Sequence, residues 1–496
     1  MNHRSFAKHL GLANMAISFM FLPSVLCSLI YWETEMLAAF TLSMLAALCT
    51  GGLLFVLGRI DDGQWYHRET LALVGIGWLM TAFYGALPYV LSGELAFDSA
   101  YFESMSGFTT TGATVLDDIE SLPKSLLFWR SFTHWLGGLG IILLLIIILP
   151  FLGAGGKLLY RSEMPGLDKS SIRPRIKDSA IILLKIYLFL TVSLTLLLWV
   201  SGMSLFDSLC HTFATLATGG FSTRQNSIAA YNSPLIEAIL VIFMIIAGTS
   251  FSLLFCLSQG DYKKFLKNAE FRFYILLLAA SSLLITLNLH AADHSLPGPI
   301  GVENLSTSPD IWDHVRASVF HTVSIMTTTG FCTVDFDLWP HFSRALLVVL
   351  MFVGGCSGST GGGLKVVRVF LLLKLVYKHL ENTFQPKNIR VLRVDELIIP
   401  NEHQKSLLTF FTIYIFATIL GTLYLAYLKL PLTSSFSAVA ACLNNIGPGL
   451  ELVGAVESYS FLPASGKLLL SLLMAMGRLE LYAICTLFIP SFWKRY

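Results

Sequence analysis

The chain of 496 residues is 55% hydrophobic and 13% charged, with a mean hydropathy of +0.69; ordinary soluble domains carry about 25% charged residues, so a soluble globular protein is excluded. A net charge of +2 gives no case for nucleic acid as a partner. Eight cysteines are scattered without a Cys-x-x-Cys pair or a Cys/His cluster at metal-ligand spacing, and they read mostly as small buried apolar residues.

Arg4 and Lys8 precede an apolar run from Leu12 to Tyr31. No small-residue cleavage site follows and a second apolar run begins almost at once, so this is a retained first span, bent at Pro23, and not a secretory leader. With about 20 apolar residues needed per crossing, spans are predicted near 12–32, 36–57, 70–92, 125–152, 179–201, 234–258, 272–290, 342–378 (interrupted), 405–428 and 466–490, ten in all. Between the third and fourth, fifth and sixth, seventh and eighth, and ninth and tenth lies a less apolar segment closed by a small, Thr/Gly-rich motif. These segments are too short to cross and too apolar for plain loops. They suit re-entrant hairpins, which a bilayer tolerates only where their backbone is buried in protein or lines a water-filled cavity.

Charge placement supports the count. Lys157, Arg161, Lys169, Arg173, Arg175 and Lys177 lie in connector 156–178, Lys263, Lys264, Lys267 and Arg272 in 259–272, and Lys387, Arg390, Arg393 and Lys405 in 379–405. All fall on one side with both termini, whereas Asp117, Asp118, Glu120, Asp293, Glu303, Asp310 and Asp313 fall on the other. The positive-inside rule then places both ends in the cytoplasm and brings the hairpins in from outside.

The four closing motifs are Thr109-Thr110-Thr111-Gly112-Ala113-Thr114, Ala217-Thr218-Gly219-Gly220-Phe221-Ser222-Thr223, Thr327-Thr328-Thr329-Gly330-Phe331-Cys332-Thr333 and Asn444-Asn445-Ile446-Gly447-Pro448-Gly449. Their register glycines, 112, 220, 330 and 447, are 108, 110 and 117 residues apart, which marks an internal repeat. The match extends upstream, where Phe102-Glu103-Ser104 stands in the place of Cys210-His211-Thr212 and Phe320-His321-Thr322, and Ser437-Ala438-Val439 is the weakest copy. The expected architecture is an all-α membrane protein of four pseudo-symmetric helix, re-entrant loop, helix units around one ion pore. The units span 70–178, 179–271, 272–404 and 405–496, preceded by two extra spans in 1–69.

The chemistry fits a dehydrated cation. Rings of backbone carbonyls replace hydration oxygens without a fixed charge that would trap the ion. Glycine lets successive carbonyls face one axis at low conformational cost, and a pore helix directs its negative C-terminal end inward. The competing reading is that small residues here only allow close helix packing.

From Phe342 to His379 the eighth span has 38 residues, about 57 Å as a straight helix against a hydrocarbon core of roughly 30 Å. Six glycines between 354 and 363 break it, and the stretch Gly354-Gly355-Cys356-Ser357-Gly358-Ser359-Thr360-Gly361-Gly362-Gly363-Leu364-Lys365 reads as a movable loop under the filter, or as a mere kink. It is not a phosphate-binding loop, lacking the Gly-Lys-Ser/Thr ending.

Arg478, near the middle of the last span, is costly there. It either lines the pore as an electrostatic barrier, pairs with the glycine-rich loop, or pairs structurally with Glu480 or a carbonyl. Arg130, His134, Lys185, Glu237, Arg344, Lys374 and Lys467 mostly lie near span ends and read as snorkelling side chains. His211 and His321 read as hydrogen-bonded structural residues. No paired carboxylates, Ser/His/Asp set or metal-ligand set stands out, so no enzyme is expected.

With these motifs, notably Ser104-Met105-Ser106-Gly107-Phe108-Thr109-Thr110-Thr111-Gly112, the chain resembles over nearly its full length the Trk/Ktr/HKT superfamily of potassium transporters, and within it the bacterial TrkH/TrkG type. The resemblance implies potassium held at Thr110, Thr111 and Gly112, Thr218, Gly219 and Gly220, Thr328, Thr329 and Gly330, and Asn445, Ile446 and Gly447. It implies a gate of Gly354, Gly355, Ser357, Gly358, Ser359, Thr360, Gly361, Gly362, Gly363 and Lys365 with Arg478 as the pore arginine. In plant relatives a serine at the first filter glycine accompanies sodium preference, so Gly112 implies potassium. The fourth motif departs from the threonine pattern and loosens that inference. Also implied are a bacterial inner-membrane location among lipid, a homodimer, and a cytoplasmic ring of NAD- or ATP-type nucleotide-binding (TrkA-like) regulatory subunits docked on connectors 156–178 and 379–405, with no cofactor bound by this chain. A secondary transporter of another small solute, or a sodium-permeable pore, is the competing class; the former typically predicts inverted repeats.

Overall fold

The computed structural model describes residues 3–58, 67–148, 172–292, 310–385, 391–395 and 397–494. Helix lies in each of the ten expected segments. Among the described residues six helices are long and apolar enough to cross a membrane: Arg4–Ile30, Thr34–Gly58, Arg68–Leu91, Ile181–Val200, Ala269–Ala291 and Asn401–Tyr427. The burial pattern is that of a protein solvated by lipid: Phe189, Val200 and Leu420 point outward, while Ser, Thr and Gly crowd the interior. The chain is an integral membrane protein. Among the described residues the one sheet is a two-stranded turn, Arg393–Val394 against Leu397–Ile398, in the long connector.

The first span's helix pauses at Phe21, with Pro23 in the first turn of Leu22–Ile30, where the missing amide of proline costs nothing. It packs on the second through glycines: a Cβ on Gly51 would lie 2.8 Å from the Met15 amide nitrogen and 2.9 Å from the Gly11 carbonyl oxygen. Gly51→Val is therefore expected to push the two helices apart at a cost of about 1–3 kcal/mol, read as a lowered melting temperature of the purified protein in detergent.

Two spans depart from expectation. Segment 234–258 is not one straight helix; Pro234–Ala247 and Phe251–Ser258 meet at 100°, because the glycine-rich loop enters the break and takes its hydrogen bonds. The Cys356 amide donates to the Gly248 carbonyl (2.8 Å) and the Phe251 amide to the Gly358 carbonyl (3.0 Å). The last span stops at Arg478, since Glu480 and Leu481 take φ of 57° and 59° before a short helix, Tyr482–Cys485. Lys157, Arg161, Lys169, Asp293, Glu303, Lys387, Arg390 and Arg495 lie outside the described residues.

The four re-entrant segments begin as pore helices, Phe97–Phe108, Leu205–Leu216, Ile311–Met326 and Leu432–Leu443. Two have side-chain caps that fix their start: Ser204 accepts from the Asp207 amide, and Asp310 with Asp313 forms a capping box.

Candidate functional site: a ring of four re-entrant strands

Each pore helix ends in the same turn. The amides of Thr111, Gly219, Thr329 and Ile446 donate five residues back to Ser106, Ala214, Ser324 and Ala441 at 2.8–2.9 Å. The preceding residues, Thr110, Thr218, Thr328 and Asn445, take φ of 53°, 55°, 62° and 55°, and the register glycines take 82°, 81°, 80° and 98°. Left-handed positions at alternate residues turn successive carbonyls to the same side, and four non-glycine residues held there cost energy that only a surrounding fold makes tolerable.

The strands then meet in cyclic order. A Cβ on Gly112 would lie 2.1 Å from the Gly219 carbonyl oxygen, one on Gly220 2.0 Å from that of Thr329, one on Gly330 2.0 Å from that of Ile446, and one on Gly447 2.8 Å from that of Thr111. First touches second, second third, third fourth, and fourth first. A head-to-tail cycle is what rotation about one axis produces, and inverted pairs do not. All four glycines line one cavity of about 70 Å³.

The rim closes in the same order. The Ile119 amide donates to Gln225 (3.1 Å), Ala229 to the Cys332 carbonyl (3.3 Å), Glu451 to Asp337, and Tyr459 to the Thr114 carbonyl (2.8 Å). Burial lifts the Asp337 carboxyl above its ordinary range, and the Glu451 amide works against that. The fourth strand differs in one further respect: the Tyr459 hydroxyl donates to the Gly447 carbonyl at 2.9 Å.

Behind the ring stand residues that sequence reasoning misplaced. Arg130 does not snorkel. It is buried, with Nε 2.6 Å from Glu103 Oε1 and Nη1 donating to the Ser222 carbonyl at 3.0 Å. Glu103 also accepts from the Thr114 hydroxyl and the Val115 amide. His134 is buried against Gly219, Glu237 takes a two-pronged bond from Arg316 (2.6 and 2.7 Å), and Lys467 reaches Asp98 and Ser99. These spans face carboxylates and carbonyls inside the protein, so their charges find partners there. Only Lys185 is exposed as expected, while Arg344 and Lys374 donate to the Asp337 and Arg393 carbonyls. The histidines are structural, as expected: His211 Nδ1 donates to the Asp207 carbonyl (2.8 Å) while Nε2 meets the Ser222 hydroxyl (3.0 Å), and His321 lies between the Ala317 and Val334 carbonyls.

Beneath the strands runs the glycine-rich loop, between His341–Met351 and Val366–Phe384. Its tip touches three of them. The Thr360 hydroxyl donates to the Leu216 carbonyl (2.9 Å), the Gly362 amide to the Thr328 hydroxyl (2.7 Å), and a Cβ on Gly362 would lie 2.5 Å from the Asn444 carbonyl oxygen. The Lys365 ammonium folds back on the Gly361 carbonyl, and Gly354 and Gly363 close the loop's neck, a Cβ on Gly363 lying 3.0 Å from Gly354. Glu270, which the sequence did not single out, anchors the loop by accepting from the Ser357 amide at 2.6 Å; Ser359 donates to Cys356, and Val366 to Gly355. Arg478 joins the assembly, donating from Nη1 to the Thr360 carbonyl (2.6 Å) and from Nη2 to the Gly137 carbonyl (3.0 Å). Arg478 thus pairs both with the loop and with a carbonyl of a neighbouring helix, and not with Glu480, which is taken by Arg368 at 2.8 Å.

Four rotationally related re-entrant strands, helix C-termini beneath them and a glycine-rich loop below define a cation-transport membrane protein. The model of the TrkH family, cation transport proteins, matches residues 37–495. The chain is 37% identical over 498 residues, all of both chains, to the Trk system potassium uptake protein TrkH of Escherichia coli K12, and 33% identical over 481 residues, 96% of each, to TrkG of the same strain. Its fold matches the crystal structure of the potassium transporter TrkH from Vibrio parahaemolyticus with a TM-score of 0.88, at 33% identity and full coverage of both chains. This chain belongs to the TrkH family of cation transport proteins.

Proposed function

We propose that this chain takes up potassium across the bacterial inner membrane through the ring described above. Its ten spans carry both termini in the cytoplasm, and its four units, 70–178, 179–271, 272–404 and 405–496, follow two extra spans in 1–69. Residues 110–112, 218–220, 328–330 and 445–447 form the selectivity filter, coordinating the ion with carbonyl and threonine oxygens. The loop 354–365 with Arg478 is the gate. The carrying observation is the cyclic contact of Gly112, Gly220, Gly330 and Gly447 with the neighbouring strands. A carbonyl ring needs backbone brought this close, and carbonyl geometry is what discriminates potassium from sodium. The chain functions as a homodimer, each protomer with its own pore, on a cytoplasmic ring of nucleotide-binding regulatory subunits, a reading supported by its kinship to Trk-system proteins.

The test is ion flux into liposomes carrying the purified protein. Potassium flux is expected to exceed sodium flux by at least about tenfold, a preference of about 1.4 kcal/mol. Gly112→Ser, which forces a side chain against the Gly219 carbonyl at a φ of 82°, is expected to erase most of that preference. Equal fluxes of the two ions through the unmodified protein would refute the assignment.

A further inference from the structure

The second filter strand lacks something the first and third share. Behind the first, the hydroxyls of Thr109 and Thr111 bond to each other at 2.8 Å, and behind the third those of Thr327 and Thr329 do the same at 2.8 Å. The corresponding positions of the second strand are Ala217 and Gly219, with no hydroxyl at either.

The volume left by those missing side chains is filled from the adjacent helix, Lys124–Ile148. A Cβ on Gly219 would lie 2.4–2.6 Å from three ring atoms of His134, so a threonine and this imidazole cannot both be present. The ring is fully buried and stacks on Phe221, with centroids 4.1 Å apart and planes inclined by 17°. One helical turn earlier, Arg130 places its guanidinium 3.9 Å from the centre of the same phenyl ring and donates to the Ser222 carbonyl. One face of the helix thus grips the second strand on both sides of Gly220. One turn further on, four residues after His134, Gly138 lies so close to the strand that a Cβ there would stand 3.0 Å from Ala217. Gly219 in turn touches the first strand, because its carbonyl oxygen is the atom that a Cβ on Gly112 would meet at 2.1 Å.

We infer that His134 is a positioning residue of the ion path. Its imidazole takes the space of the absent threonine pair, fixes Gly219 and, through the Gly219 carbonyl, sets the spacing between the second strand and the first. Potassium and sodium differ by a few tenths of an ångström in radius, so a support that holds one carbonyl in place acts on selectivity before it acts on rate. The inference rests on the filter reading proposed above and assigns His134 and Gly219 as a matched pair within it.

The experiment uses the full chain in liposomes with potassium and sodium fluxes measured separately. His134→Ala is expected to lower the potassium-to-sodium flux ratio about tenfold, equivalent to about 1.4 kcal/mol, with potassium flux itself changed less. Gly219→Thr alone is expected to lose potassium flux. His134→Ala combined with Gly219→Thr, which rebuilds a threonine where the first and third strands have one, is expected to regain both flux and ratio. An unchanged ratio in His134→Ala, or a double variant no better than Gly219→Thr, overturns the assignment. Should His134→Ala fail to accumulate in the membrane, His134→Gln carries the test: it keeps the length but not the ring, so a smaller fall in the ratio is expected and no fall overturns the inference. Gly330→Ala, on the third strand away from His134, separates the two levels. If it leaves the ratio intact the filter reading falls, whereas a ratio altered by Gly330→Ala but not by the histidine variants sinks only the role of His134.

Discussion

Arg130→Met is expected to destabilise the protein by about 3–5 kcal/mol, the cost of leaving the partner of a buried ion pair uncompensated. Both side chains are shielded, at 2% and 0% relative exposure, and their atoms are 2.6 Å apart. The pair does more than neutralise itself. Glu103 belongs to the first pore helix and holds the outgoing limb of its own strand through Thr114 and Val115, while Arg130 holds the second strand through Ser222. Losing the guanidinium therefore frees the second strand and leaves the buried carboxylate that holds the first uncompensated. Thermal unfolding in detergent, followed through a double-mutant cycle with Glu103→Gln, measures the effect. The double variant is expected to cost less than the sum of the singles by about 2–3 kcal/mol, within the range for contacting residues. Additive costs would mean that the two charges do not act as a pair.

Much of the ring was legible because it is periodic. Four glycines at a near-constant interval, each preceded by an apolar stretch too short to cross, permit few arrangements, and the strands do meet at those glycines. The glycine-rich break was legible for a different reason, since no unbroken helix of that length fits a bilayer. The side-chain partners were not legible. Arg130 and Glu103 are 27 residues apart on different helices, and hydropathy records only that each is a charge near a span end. A signal existed in Glu103 itself, a carboxylate in a re-entrant segment where the second and third units carry His211 and His321; buried carboxylates need partners. The 100° bend at Gly248 had a weak mark in Gly248-Thr249-Ser250. The break after Arg478 had none. It occurs at Glu480 and Leu481, neither of which favours positive φ, and it is imposed by tertiary contacts, among them Arg368, whose guanidinium binds Glu480 and lies 4.3 Å from the centre of the Phe410 ring.

The second large effect is expected at Arg478. Arg478→Gln should raise potassium flux through the protein, measured in liposomes without any regulatory subunit, by at least about tenfold. The guanidinium makes two charge-assisted bonds, to Thr360 on the loop and to Gly137 on the helix beside the first strand, each worth about 1.5–3 kcal/mol. Together they tie the loop to a neighbouring unit, and the bond to Thr360 exists only while the loop sits under the ring. With the loop as the proposed gate, weakening its seated arrangement by about 1.4 kcal/mol multiplies the open population tenfold. Removing a positive charge from beneath the carbonyls lowers the electrostatic barrier to a cation as well, so both consequences act in one direction. Arg478→Lys should fall between: the ammonium keeps the charge but lacks the planar fork that reaches two carbonyls. The potassium-to-sodium ratio should stay near that of the unmodified protein, because the hydrogen bonds that shape the four strand turns do not involve this residue. A flux in Arg478→Gln at or below the unmodified level would mean that the arginine supports the conducting path and does not close it.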